Sequence, residues 1–136
     1  MERLHHRLNS AKKALGSFQQ LAMLDQMNEI ERDAAIQRFK NSFEACWKAA
    51  KEFLYNVEGI DVGSPKGVIR SCREVNLLQE DETTLGLKMV NDRNLTVHTY
   101  NEEVAILIQS NLTTYYHLLE KWMEQIRARI SEKHIE

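Results

Sequence analysis

The feature that most constrains this chain is the rhythm of its apolar residues, which recur at intervals of three and four rather than two. That spacing puts them on one side of a helix of 3.6 residues per turn and on both sides of a strand. With one Pro and five Gly in 136 residues, few positions interrupt it. The pattern predicts an all-α chain.

From about residue 3 to 24, Leu4, Leu8, Ala11, Leu15, Phe18 and Ala22 draw one stripe, and the helix they define should pack antiparallel to the next. Asn28, followed three residues later by Glu31, reads as a capping box that opens a second helix. Ile36, Phe39, Phe43, Cys46, Ala50, Phe53 and Val57 carry its stripe, widened by Trp47 and Leu54, to a stop at Gly59. At 1.5 Å per residue it would be on the order of 40 Å long. Ser64-Pro65 marks the start of a short third helix facing inward through Val68, Ile69, Cys72 and Val75. Asp81 is the expected cap of a fourth, with Leu85, Met89 and Val90 on its inner face. Asn101, before Glu102 and Glu103, opens a last helix, expected to be the longest. Its stripe runs from Val104 through Ile108, Leu112, Tyr115, Leu119, Trp122 and Ile126 to Ile130, with fraying expected from Ser131 to Glu136. Three long helices and two shorter ones, joined by short loops, predict an up-and-down antiparallel four-helix bundle with an additional short helix.

The length suits a single domain, residues 1–136. A formal net charge of -2 gives no overall basic field, so any RNA contact has to be local or built by dimerisation. Cys46 and Cys72 lack metal-type spacing and fall in apolar helical patterns, which suits small hydrophobes in a reduced, cytosolic setting. No run approaches the roughly 18 apolar residues of a membrane span, so no membrane contact is expected and the localisation predicted is cytoplasmic. The stripes are wide and aromatic-rich. A second copy covering part of them and a well-filled monomer core account for this equally well.

Between the fourth and last helices lies a polar stretch, Asn91 to Tyr100, that gathers Arg93, His98 and Tyr100. Arg is a fixed cation suited to a phosphate, His gives or takes a proton near neutral pH, and Tyr offers a hydroxyl. The spacing alone is cheap, since it recurs as Arg129 to His134, and an Arg and a His near a helix end are commonly terminus partners or surface residues. In a straight helix Arg93 and His98 would stand about 140° apart and diverge. They converge if the helix ends or kinks between them, or if Arg93 of one subunit meets His98 of another across a two-fold axis. Either geometry suits metal-independent RNA cleavage, with His98 moving the proton of a ribose 2′-hydroxyl or of the leaving oxygen, and Arg93 neutralising the phosphorane. His5 and His6, beside Arg3 and Arg7, read as a solvated face, and His117, beside Tyr115 and Tyr116, as packing. No histidine stands in metal-binding spacing, and no glycine-rich phosphate loop or nucleophile elbow is present. No metal or other cofactor is therefore expected.

Three segments together carry a resemblance: Ile36 to Lys48, Ser64-Pro65-Lys66 with Val68-Ile69-Arg70, and Asp92-Arg93-Asn94 leading to His98-Thr99-Tyr100. Over nearly the whole chain the sequence resembles the HEPN-type "nucleotidyltransferase substrate-binding" proteins. The resemblance implies a small helical protein encoded beside a minimal nucleotidyltransferase, the two forming a toxin–antitoxin-like complex. It implies an Arg-x-x-x-x-His-x-Tyr ribonuclease motif at a homodimer interface, filled here by Arg93, His98 and Tyr100, with Asp92 and Asn94 in support. It also implies that the partner silences the nuclease by transferring AMP to Tyr100, where an anionic nucleotide two residues from His98 would crowd the site and compete for Arg93. Lys40 stands where family members often carry an acid, and Asn101 where an Asp is frequent. The older family name implies a rival function, a non-catalytic nucleotide- or substrate-binding subunit of the nucleotidyltransferase. A purely structural dimerisation bundle is a third.

Overall fold

The computed structural model describes residues 1–133 and contains six α-helices: α1 (Glu2–Ala22), α2 (Glu29–Phe53), α3 (Pro65–Glu74), α4 (Glu80–Asn94), α5 (Glu102–Gln109) and α6 (Leu112–Glu132). Each of the four longer ones has one wide apolar face, and the only way to remove four such faces from water together is a bundle. Contacts at both ends of the helices fix their directions. Arg3 pairs with Glu52, and Arg38 donates to the Ser17 carbonyl, so α1 and α2 run antiparallel. Thr113 donates to the carbonyl of Ala22 and Arg127 to that of Leu8, which sets α6 antiparallel to α1. Lys121 pairs with Glu82, and Tyr115 bonds Asp92, which sets α4 antiparallel to α6. The result is an up-and-down antiparallel four-helix bundle of α1, α2, α4 and α6, with α3 and α5 as short additional helices.

The predicted stripes form the core. Leu4, Leu8, Ala11, Leu15, Phe18 and Ala22 are all buried, as are Ile36, Phe39, Phe43, Cys46, Ala50 and Phe53 of α2. The bundle's middle is aromatic: the Phe39 ring stacks on Tyr115 at 5.4 Å and lies 6.0 Å from Phe18 and 6.5 Å from Phe43. Each fully buried Phe or Leu contributes roughly 1.5–3 kcal/mol relative to an exposed one. Both cysteines are buried and free, and burial pushes the Cys72 thiol up to about 12, so they behave as small apolar residues.

The helix ends follow the polar signals in most places. Asn28 Oδ1 accepts from the Glu31 amide at 2.8 Å while Glu31 returns the bond to the Asn28 amide at 3.0 Å. Ser64 Oγ accepts from the Gly67 amide at 3.1 Å, with Pro65 in the first turn. Gly59 takes the left-handed conformation, φ 71°, where α2 ends through one wider turn of π geometry over Leu54–Glu58.

Three expectations are corrected. The cap of α4 is Gln79, not Asp81, because Glu82 Oε1 accepts from the Gln79 amide at 2.8 Å. The last helix is not continuous: it breaks at Ser110 and Asn111, where Ser110 Oγ and Asn111 Nδ2 donate to the Leu107 carbonyl at 2.7 and 3.1 Å. Short polar side chains here compete for the helix's own acceptors. A stripe cannot register such a break, since α5 and α6 still face one core, and with the break α2 is the longest helix at 25 residues. Helical structure also continues past Ser131 to Glu132, and the rest of the expected frayed tail, residues 134–136 with the His134 of the second Arg-His spacing, lies outside the described residues. Arg129, the other half of that spacing, pairs with Glu58 at 3.7 Å and donates to the Val75 carbonyl at 3.1 Å, a structural clamp.

Candidate functional site

The polar stretch folds as the end of one helix, a tight turn and the start of another. α4 ends at Asn94, and the backbone narrows to a 3-10 turn over Leu95–His98. Thr96 Oγ1 donates to the Arg93 carbonyl at 2.7 Å, taking up an acceptor the continuing helix would have used. The Asn101 carboxamide then caps α5, accepting from the Glu103 amide at 2.9 Å, so the Asn at this position serves the helix start.

This path sends the polar residues to opposite sides. Asp92 points into the bundle, 5% exposed, where the Tyr115 hydroxyl donates a short hydrogen bond to its Oδ2. Burial, then the hydrogen bond to Asp92 and its negative charge, hold the Tyr115 phenol well above its ordinary ionisation range. Arg93 faces α2, where its Nη2 lies 2.8 Å from Glu44 Oε1. The other carboxylate oxygen of Glu44 accepts from the Trp47 indole N–H at 3.2 Å, and Arg93 Nε is buried without a partner. Asn94 is exposed at the helix end.

His98 emerges on the outside of the turn. Its Nδ1 lies 3.1 Å from the Tyr100 hydroxyl, the two rings meeting edge to face at 5.7 Å, and Tyr100 is 85% exposed. The helix break needed for convergence is present, yet within one chain the guanidinium is engaged by Glu44 and the imidazole by Tyr100. Val97, Ile106 and Leu107 are exposed apolar side chains on the same turn and on α5. Beside Tyr100, between α2 and the turn, opens a cleft of about 520 Å³ lined by Arg32, Asp33, Lys40, Thr96, Thr99 and Tyr100 among others. His6 and His117 are exposed, and His117 rests edge to face on Tyr116 at 5.4 Å. Among the described residues, no group of three or more His, Cys, Asp or Glu side chains is gathered closely enough to hold a metal ion.

Glu44, Tyr115 and Arg32 escaped the sequence reading. Glu44 and Arg32 look like surface charges beside an apolar stripe and Tyr115 like a stripe member, and only the approach of α4 to α2 and α6 gives them polar partners. Tyr115→Phe removes the donor to a buried carboxylate and is expected to cost about 1–3 kcal/mol in urea unfolding at neutral pH. The sign of the pH effect follows from the raised ionisation. Tyr115 contributes its stabilisation in full below the unfolded value of about 10 and loses it as pH rises beyond that toward the folded value, so wild type should lose stability above about pH 10 and the variant should lack that share.

The sequence matches the model of the family described as "Nucleotidyltransferase substrate binding protein like" over residues 6–128, a span that includes Arg93, His98 and Tyr100. The chain belongs to that family. No curated protein matches it. Solved structures of similar proteins fall on the same bundle. A family-sized protein from Thermus thermophilus is 50% identical over 86% of this chain and 98% of its own, with a TM-score of 0.85. A mutant of the MntA-HpeT toxin-antitoxin is 18% identical, covering 94% and 99%, with a TM-score of 0.77. The tri-AMPylated HEPN toxin of Shewanella oneidensis, in complex with its MNT antitoxin, is 19% identical, covering 92% and 96%, with a TM-score of 0.73. At those identities the last two establish the fold of this family member as HEPN-like. None of its described helices is long and apolar enough to cross a membrane.

Proposed function

We propose that this chain is the HEPN-type toxin of a toxin–antitoxin pair, a metal-independent endoribonuclease whose partner, a minimal nucleotidyltransferase, silences it by AMP transfer to Tyr100. The observation that carries the reading is the exposed His98–Tyr100 pair, hydrogen-bonded at 3.1 Å on the outside of a turn. An RNA strand can reach an imidazole in that position, and a second enzyme can reach the phenol. In cleavage, a ribose 2′-oxygen gives up its proton to a His98 imidazole and attacks the adjacent phosphorus. The 5′-oxygen of the next nucleotide leaves and takes a proton, and a 2′,3′-cyclic phosphate remains. Arg93 stabilises the extra negative charge on the phosphorane. The exposed apolar residues Val97, Ile106 and Leu107 flank His98 and offer a homodimer seam, across which Arg93 of one protomer serves His98 of the other.

In silencing, the Tyr100 oxygen attacks the α-phosphorus of ATP, loses its proton and expels pyrophosphate. The adenylyl group then sits where the Tyr100 hydroxyl now meets His98. The solved complex of an AMPylated HEPN toxin with an MNT antitoxin, built on the same bundle, supports this order of events. The Arg93–Glu44 pair favours a second reading: a guanidinium already neutralised at 2.8 Å is a weaker ligand for RNA phosphate, as suits a non-catalytic subunit that presents nucleotide or substrate to the nucleotidyltransferase.

The test is incubation of the purified chain with the nucleotidyltransferase encoded beside it and ATP. The Tyr100 peptide is expected to gain an adenylyl group in mass spectrometry while RNA cleavage falls in parallel, and Tyr100→Phe should take up none. RNA left intact by protein with a free Tyr100 hydroxyl would leave the substrate-binding reading in its place.

A further inference from the structure

We infer that the cleft between α2 and the 3-10 turn is a nucleoside monophosphate site that receives the adenylyl group carried on Tyr100. The inference rests on the proposed modification of Tyr100, but the cleft makes its own case. Its volume of about 520 Å³ falls in the range of small-molecule sites. Tyr100 stands at its edge, so a group on the phenol oxygen has one concave surface within reach.

The polar groups inside are under-used. The Arg32 side chain is 12% exposed, its Nε is buried with no hydrogen-bond partner, and its ion pair is a 4.0 Å approach to Glu102, a side chain 77% exposed. A guanidinium that deep is normally held by several hydrogen bonds, because burying its donors without acceptors is costly. Lys40, two turns further along α2 and half-buried, has no ion pair among the described residues. A phosphate between them supplies the missing acceptors and a countercharge for both, and Arg is well shaped to take it through two N–H groups at once. Glu29 and Asp33, toward the start of α2, and Glu102, at the start of α5, carry the opposite charge. They repel a phosphate from their own end and accept hydrogen bonds there, which suits the exocyclic amino group of adenine. The cleft is therefore polarised for a nucleotide lying with its phosphate toward Arg32 and Lys40. Once seated, the adenylyl group is held by the protein's own cations, which keeps it across His98.

The experiment is calorimetric titration of AMP into the unmodified full chain. AMP is expected to bind saturably, with adenosine, inorganic phosphate and UMP each roughly tenfold weaker or worse. Arg32→Gln and Lys40→Gln should each weaken AMP by about tenfold, the scale of one lost charge-assisted contact, while Arg70→Gln, an exposed change on α3, should not. Circular dichroism checks that each variant is folded, and Lys40→Gln, at a side chain with no ion pair to lose, decides the matter if Arg32→Gln is not. No saturable AMP binding, or binding indifferent to both substitutions, overturns the inference, and UMP binding as tightly as AMP overturns the adenylyl assignment. RNA cleavage that depends on His98 together with absent AMP binding would sink the cleft alone, whereas AMP binding without cleavage supports the cleft and removes the nuclease.

Discussion

His98→Ala is expected to lower RNA cleavage by about 10²–10⁴-fold, the usual contribution of a positioned general acid or base, with the activity of wild type unaffected by EDTA. The measurement is a single-turnover assay on labelled RNA, with products resolved for a 2′,3′-cyclic phosphate end. Because His98 is exposed and its hydrogen bond is to a side chain that is itself exposed, the substitution should leave urea unfolding within about 0.5 kcal/mol of wild type. A variant that keeps its fold and still cleaves at the wild-type rate would remove His98 from the chemistry. Equal loss of folding and activity would show that the side chain was structural.

A larger effect on stability should come from Phe39→Ala, at about 3–5 kcal/mol in urea unfolding. Phe39 is fully buried and touches three aromatic neighbours, Tyr115, Phe18 and Phe43, so truncation leaves a hole that rings in fixed rotamers cannot collapse to fill. A consequence for the site follows. Tyr115 stacks on Phe39 and donates to Asp92, the residue before Arg93, so loosening the stack is expected to weaken the anchor of α4 at its functional end. RNA cleavage by the folded fraction should then fall as well. A loss under about 1.5 kcal/mol, well below the usual range for such a truncation, would mean that the aromatic cluster is less tightly packed than its contacts indicate.

The helices were legible because each is written twice, once in an apolar stripe and once in its end signals. Asn28 with Glu31, Ser64-Pro65, Gly59 and Asn101 all act where they stand, since a cap bonds to amides within three residues of itself and needs nothing distant. The break at Ser110-Asn111 was hidden because the stripe on either side stays in phase. At the candidate site, the pairing of His98 with Tyr100 spans two residues, and the sequence placed both in one polar stretch.

By itself the sequence determined which segments are helical, where most of them start and stop, which face of each is apolar, and that Arg93, His98 and Tyr100 lie on one connection. These are consequences of periodicity and of hydrogen bonds between near neighbours. Only the tertiary structure decided that Glu44 engages Arg93, that Tyr115 holds Asp92 and that Arg32 and Lys40 face a cleft beside Tyr100. Those partners are brought together by four helices packing at once. A charge at the border of a stripe has the same local pattern whether it ends in water or against another helix.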